Sequence, residues 1–156
     1  MAKKTNTDGR KVVATNRRAR HNFSILDTYE CGIALIGSEV KSLRAGQVQL
    51  KDAHGEIRGS EIWLCNLHIA PYQFATDGGH EPERPRKLLL HRREIERLVS
   101  KVTEAGQTLV PMSIYFVHGL AKVELALAKG RTTYDKRQAI KEREMKREMD
   151  RARRHT

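Results

Sequence analysis

The chain has 156 residues, 30 Lys and Arg against 19 Asp and Glu, a net charge of +11 and a pI near 10.0. A mean hydropathy of −0.64, and no run near the roughly 20 apolar residues that a membrane span requires, argue against membrane insertion. Two cysteines are too few for a disulfide scaffold and lack the usual zinc spacings, so the expected class is one cytoplasmic, soluble domain with appendages, in which Cys31 and Cys65 are buried thiols.

In chain order, residues 1–14 read as a flexible basic arm. "TNRRARHN" (15–22) predicts a short basic helical turn with Thr15 or Asn16 as N-cap. "YECGIALIG" predicts a strand with Tyr29, Cys31, Ile33 and Leu35 on one side. "SEVKSLRAG" predicts a short helix capped by Ser38 and stopped by Gly46. Three strand-like pieces follow up to Pro71, the last placing Trp63, Cys65, Leu67 and Ile69 on a common face.

Residues 73–86 read as a polar Gly/Pro loop and 87–90 as a short strand. Residues 91–106 read as an amphipathic helix with the stripe Ile95, Leu98, Val99 and Val102, ended by Gly106. A hairpin turning at His118-Gly119 precedes the tail, with Val123, Leu125 and Leu127 alternating against polar and small residues. The expected fold class is mainly β with small helices. An oligonucleotide-binding (OB) type of closed antiparallel barrel over residues 15–130 leads, and an α+β sandwich is the alternative.

Charge is unevenly placed. Residues 1–20 carry seven basic groups against Asp8, residues 131–156 ten against five, and residues 21–130 thirteen against thirteen. Basic ends on a neutral body suit a polyanion, and nucleic acid fits better than a membrane because neither end has a broad apolar face. Arg17, Arg18, Arg20, Arg84, Arg86, Lys87, Arg92 and Arg93 lie near turns and element ends, where phosphates are met. Phe23, Tyr29, Tyr72 and Phe74 could stack on bases or serve as core, and Tyr29 is assigned to the core.

The seven histidines form no ligand cluster, and no nucleotide-binding or hydrolase motif is present, so neither enzyme activity nor any metal or cofactor is expected. The tail "YDKRQAIKEREMKREMDRARRHT" has helix formers and i,i+4 pairs such as Glu142–Lys146 and Asp150–Arg154 but no continuous apolar seam. A helix that orders against a partner is the expectation. Fully helical, its last 22 residues would reach about 33 Å, at about 1.5 Å per residue.

The blocks "NRRARHNFSILDTYECGIALIGSEVKSLRAGQVQLKD", "RPRKLLLHRREIERL", "LVPMSIYF", "VELALAKG" and "YDKRQAIKERE" together resemble the SmpB family, whose members bind transfer-messenger RNA (tmRNA, or SsrA RNA). The resemblance runs from about Asn16 to the C-terminus. It implies an OB-like barrel and a non-enzymatic adaptor of trans-translation, the rescue of stalled ribosomes with tagging of incomplete proteins. The adaptor would bind the tRNA-like domain of tmRNA, mimic the missing anticodon arm and enter the A site with elongation factor Tu, as a monomer.

The expected tmRNA-binding set is Asn16, Arg17, Arg18, Arg20, Glu30, Lys87, Leu89 and His91, with Glu30 and Leu89–His91 on the family's "YE-x-G" and "LLL" blocks. Glu30 would accept from base or sugar donors or orient a neighbouring arginine. The expected ribosome-binding set, facing the small-subunit decoding centre and the mRNA channel, is Arg131, Tyr134, Asp135, Lys136, Arg137, Lys141, Arg143, Lys146 and Arg147. Gly130-Arg131-Thr132 departs from the Gly-Lys-Lys of many relatives, so Thr132 is not carried over. A ribosomal or general single-strand-binding protein is the alternative from a different class.

Overall fold

A computed structural model describes residues 9–75, 79–130 and 133–154, with backbone alone for 133–136. Nine strands and four helices run as β1 (Arg10–Thr15), α1 (Ala19–Asn22), β2 (Phe23–Ile33), α2 (Gly37–Arg44), β3 (Val48–Gln49), β4 (His54–Arg58), β5 (Glu61–Cys65), β6 (His68–Ile69), β7 (Arg86–Leu89), α3 (Arg92–Ala105), β8 (Thr108–Val117), β9 (Leu120–Gly130) and α4 (Thr133–Arg154) among the described residues. The protein is therefore mainly β with a few helices, three of them short beside the sheet and α4 long.

The antiparallel pairings β8–β4, β4–β5, β5–β7, β7–β2, β2–β9 and β9–β8 return to their starting strand. The β8–β4 step rests on the pair Gly55–Leu109. A Cβ on Gly55 would stand 2.6 Å from Leu109 Cβ, so glycine alone allows this approach. Register shifts at Ile25/Asp27 and Pro111/Ser113 bend the long strands, as bulges do, and place the proline where a ladder is already broken. The β8–β9 turn at His118 and Gly119 has both residues at positive φ, as a two-residue hairpin turn requires. β3 and β6 form a separate two-stranded sheet.

Cys31, Ile62, Leu64, Leu88, Ile114, Val123 and Leu125 fill the main core. Ala126 and Ala128, on the other side of β9, are also buried, in a second cluster with Ala19 of α1 and Met112. Ile95, Leu98 and Val102 of the α3 stripe pack on the main core as expected while Val99 does not, and Gly106 ends that helix in the left-handed conformation.

Four expectations need correction. Residues 10–14 belong to β1, whose pairing with β8 absorbs them into the sheet, so the arm can extend no further than residue 9. Helix α1 starts later than predicted, with Arg18 at the N-cap and no side-chain cap, because the Asn16 side chain turns inward instead. Helix α2 is capped at Ile36, whose N–H donates to Glu39 Oε1 at 2.9 Å, while the Ser38 hydroxyl meets His80 Nδ1 at 2.8 Å. In β5 the buried residues are Ile62, Leu64 and Cys65 while Trp63 is half-buried, so of the predicted face Cys65, Leu67 and Ile69 are buried and Trp63 is not. Asn66 at φ 58° breaks the alternation, so Leu67 and Ile69 point inward again and the sequence run looks continuous.

Candidate RNA interface

Glu30 lies on β2 between buried Tyr29 and Cys31, so alternation turns it outward, and its side chain is 43% exposed rather than buried. Its Oε2 accepts from the Tyr115 hydroxyl at 2.8 Å and from the Arg10 guanidinium at 3.0 Å, and Arg10 lies 4.6 Å over the Tyr115 ring. Burial first, then the Glu30 carboxylate, raises the Tyr115 pKa, so its O–H remains a donor. Glu30 Oε1 has no partner among the described residues, so this partly exposed carboxylate keeps an acceptor to offer. A carboxylate held this way suits a base N–H or a ribose 2′-OH. Arg10 was hidden from sequence reading by its 20-residue separation from Glu30 and by the assignment of its segment to an arm.

Leu89 sits opposite Gly32, two residues beyond Glu30 on β2, and is 52% exposed. Lys87 shares its outward face and pairs with Glu61 at 3.1 Å. His91 is the N-cap residue of α3, its carbonyl accepting from Ile95 at 3.0 Å and its side chain exposed. Glu30, Leu89 and His91 therefore gather around the Gly32 end of β2.

The basic cluster at 16–20 lies at the other end of that strand, beyond Phe23. Gly32 lies nine residues further along β2 than Phe23, about 30 Å at about 3.3 Å per residue. Arg17 and Arg18 are exposed and, with Lys51 and Gln49, line a groove of about 340 Å³. Asn16 is 7% exposed; its Nδ2 donates to the Pro111 carbonyl at 3.1 Å and its N–H to Met112 O at 2.7 Å. Its observed contacts hold the groove rather than meet a ligand. Arg20 shares a second groove with Ala139, Glu142, Arg143 and Lys146 of α4.

Arg84 and Arg86, expected at phosphates, are structural. Arg86 is fully buried; its Nε donates to Glu39 Oε2 and its two terminal nitrogens to the carbonyls of Leu67 at 2.6 Å and Pro82 at 3.1 Å. Arg84 donates to Glu39 Oε1 at 2.6 Å. Burial raises the pKa of Glu39, but bonds from Arg84, the Ile36 N–H and Arg86 outweigh it and hold the carboxyl below the ordinary range. Arg92 pairs with Glu96 at 3.5 Å, and Arg93 is exposed. Of the aromatics, Tyr29 is buried, Phe23 packs against the second cluster, Tyr72 lies under Lys41, and Phe74 is exposed.

In the tail, Arg131 and the side chains of Tyr134, Asp135 and Lys136 lie outside the described residues. Arg137, Lys141, Arg143, Lys146 and Arg147 are exposed on α4. The expected pairs Glu142–Lys146 and Asp150–Arg154 do not close within 4.0 Å, as exposed pairs of long side chains often do not. Elsewhere, the β4–β5 register brings His54, Glu56 and Cys65 together, their ligand atoms within 4.8 Å of one another, a grouping invisible in the spacing. Arg58 supplies the positive charge there, 3.6 Å from Glu56.

The description "SmpB protein" belongs to the family model that matches residues 13–155. The chain belongs to the SmpB family. Among similar SmpB relatives, the SsrA-binding protein of Thermobifida fusca (strain YX) is 57% identical over 155 residues, covering 97% of each chain. That of Nocardia farcinica (strain IFM 10152) is 59% identical over 143 residues, covering 92% of this chain and 89% of its own. A solved chain described under "tmRNA-SmpB: a journey to the center of the bacterial ribosome" shares 49% identity at a TM-score of 0.65, covering 81% of this chain and 93% of that one. Arg10 and Lys11 precede the stretch matched to the SmpB family.

Proposed function

We propose that the chain is the RNA-binding adaptor of trans-translation, acting on the tRNA-like domain of tmRNA and on stalled ribosomes. The observation that carries this is membership of the SmpB family across residues 13–155, within which Glu30 stands as an oriented, outward-facing carboxylate. The relatives' name, SsrA-binding protein, and the tmRNA–SmpB description of the solved chain support the same partners.

The six-strand circuit supports reading the body as an OB-like barrel, with β1 added at its edge and small helices beside it. On this reading Glu30, Leu89 and His91, with Lys87, meet tmRNA at one end of β2, and Arg17, Arg18 and Arg20 meet phosphates at the other. The tail, with Arg131, Tyr134, Asp135, Lys136, Arg137, Lys141, Arg143, Lys146 and Arg147, orders in the mRNA channel beside the decoding centre. Exposed Met145 and Met149 and the unclosed ion pairs support conditional order, since little in α4 is tied to the body. The adaptor works without chemistry or cofactor, as a cytoplasmic monomer reaching the A site with elongation factor Tu. No helix among the described residues is long and apolar enough to cross a membrane.

The test is a comparison of affinity for the tRNA-like domain of tmRNA with that for unrelated RNA of equal length at about 0.15 M salt, where purely ionic binding is already weakened. A marked preference for the tRNA-like domain is expected. Equal affinities would overturn the adaptor reading in favour of a general RNA binder.

A further inference from the structure

Between the end of α2, edge strand β1 and the β8–β9 turn lies a cavity of about 320 Å³, lined by Gly9, Lys11, Arg44, Phe116, His118 and Gly119. Three of these residues carry basic side chains and none is acidic. We propose that this cavity is a phosphate pocket for an RNA strand, separate from the Glu30 site. The inference rests on the RNA-adaptor reading and deepens it.

The strand register builds the pocket. Lys11 stands opposite Phe116 in the β1–β8 pairing, so both project to one side of the sheet. Arg10, the preceding residue, projects to the other side, where it covers Tyr115 and binds Glu30. One edge strand thus supplies a cation to each of two surfaces. Arg44 reaches in from the last turn of α2, its guanidinium 5.4 Å from the Phe116 ring centroid, which fixes the fork over an apolar floor. Gly9, Gly119 and His118 all have positive φ, so the rim is two sharp bends that bring His118 to the cavity mouth.

Lys11, Arg44 and His118 have no hydrogen-bond or carboxylate partner among the described residues. The more buried arginines are answered by carboxylates, Arg84 and Arg86 by Glu39 and Arg10 by Glu30, whereas Lys11 and Arg44 are exposed at this cavity with none. Like charges converging on a concave surface raise its potential and repel one another until an anion arrives. A phosphodiester supplies both the charge and acceptor oxygens for the Arg44 fork and the Lys11 ammonium.

The test uses full-length Lys11→Gln, Arg44→Gln, the double variant and Arg44→Lys, each bound to the tRNA-like domain of tmRNA and to ribosomes across a salt series. Each single Gln substitution is expected to weaken binding to one of the two RNAs about fivefold at about 0.15 M salt and to lower the slope of log affinity against log salt by about 0.7. The double variant lowers it about twice as much, and Arg44→Lys, which keeps the charge, leaves it unchanged. Loss with the tRNA-like domain assigns the pocket to tmRNA, and loss with ribosomes assigns it to ribosomal RNA. Lys11 is exposed on an edge strand, so its variant keeps the wild-type melting temperature and carries the test even if Arg44→Gln misfolds. An unchanged slope with both RNAs overturns the pocket while leaving the adaptor reading intact, provided the wild type still prefers tmRNA. Loss of that preference would instead overturn the adaptor reading.

Discussion

Asn16 ties three segments together: its Nδ2 donates toward the carbonyls of Pro111 and Leu50, and its own N–H meets Met112. No apolar or aliphatic side chain can replace those donors at a site this buried. Asn16→Ala would leave the Pro111 carbonyl without its donor and should cost about 1–3 kcal/mol, the usual consequence of an unsatisfied buried polar group. Its effect on RNA should follow from displacement of Arg17 and Arg18, which share the groove with it. The expected result is a lowered melting temperature, with a smaller loss of RNA affinity than in the Arg17→Gln/Arg18→Gln double variant. An Asn16→Ala protein of wild-type stability that no longer bound tmRNA would instead make Asn16 a direct contact. Glu30 is the opposite case, half-exposed and fixed from two sides on one oxygen, with the other unpaired among the described residues.

At the scale of elements, helix α2 and the stretch leading into β7 are clamped by Glu39. It is fully buried, accepts from Ile36, Arg84 and Arg86, and answers an arginine that is itself fully buried. Removing one partner of such a pair leaves an uncompensated buried charge, so Glu39→Gln should cost about 3–5 kcal/mol in chemical denaturation at pH 7. The sign with pH follows from the depressed Glu39 pKa. Its stabilising effect is complete above the ordinary glutamate value of about 4.3 and is lost as pH falls through the lower folded-state value. The gap between wild type and Glu39→Gln should therefore narrow below about pH 4. A gap constant between pH 7 and pH 3 would mean that Glu39 does not titrate as the buried partner of Arg86.

The same elements show what was legible in the sequence. The His118-Gly119 hairpin and the α3 stripe follow from local periodicity and turn chemistry, which need no knowledge of distant partners. The role of Arg86 does not: a Gly/Pro-rich basic stretch reads as a phosphate-meeting loop until Glu39, 47 residues away, is seen to neutralise it. Arg10–Glu30 and Gly55–Leu109 are likewise products of strand register, and the Asn66 backbone reversal hides a change of face inside an apparently regular run.

The whole molecule divides its charge by location. The body offers acceptor and cationic sites at both ends of β2 and a basic cavity at the β8–β9 turn, while α4 carries its cations on a helix with exposed methionines. β9 ends at Gly130, where it pairs with Phe23, so the sheet is complete before the tail begins. A chain ended after Gly130 loses the groove that Arg20 shares with α4 but keeps every strand of the circuit. Its melting temperature should stay within a few degrees of the full chain, because the removed helix adds little to either core cluster. Binding to the tRNA-like domain of tmRNA should be nearly unchanged, since Glu30, Leu89 and the groove at Arg17 and Arg18 remain. On the proposed reading, tagging on ribosomes stalled without a stop codon should be lost, because the tail is the part assigned to the empty channel. Truncated protein that still supported tagging would show that the body alone suffices on the ribosome, and truncated protein that failed to bind tmRNA would place part of that RNA's site on α4.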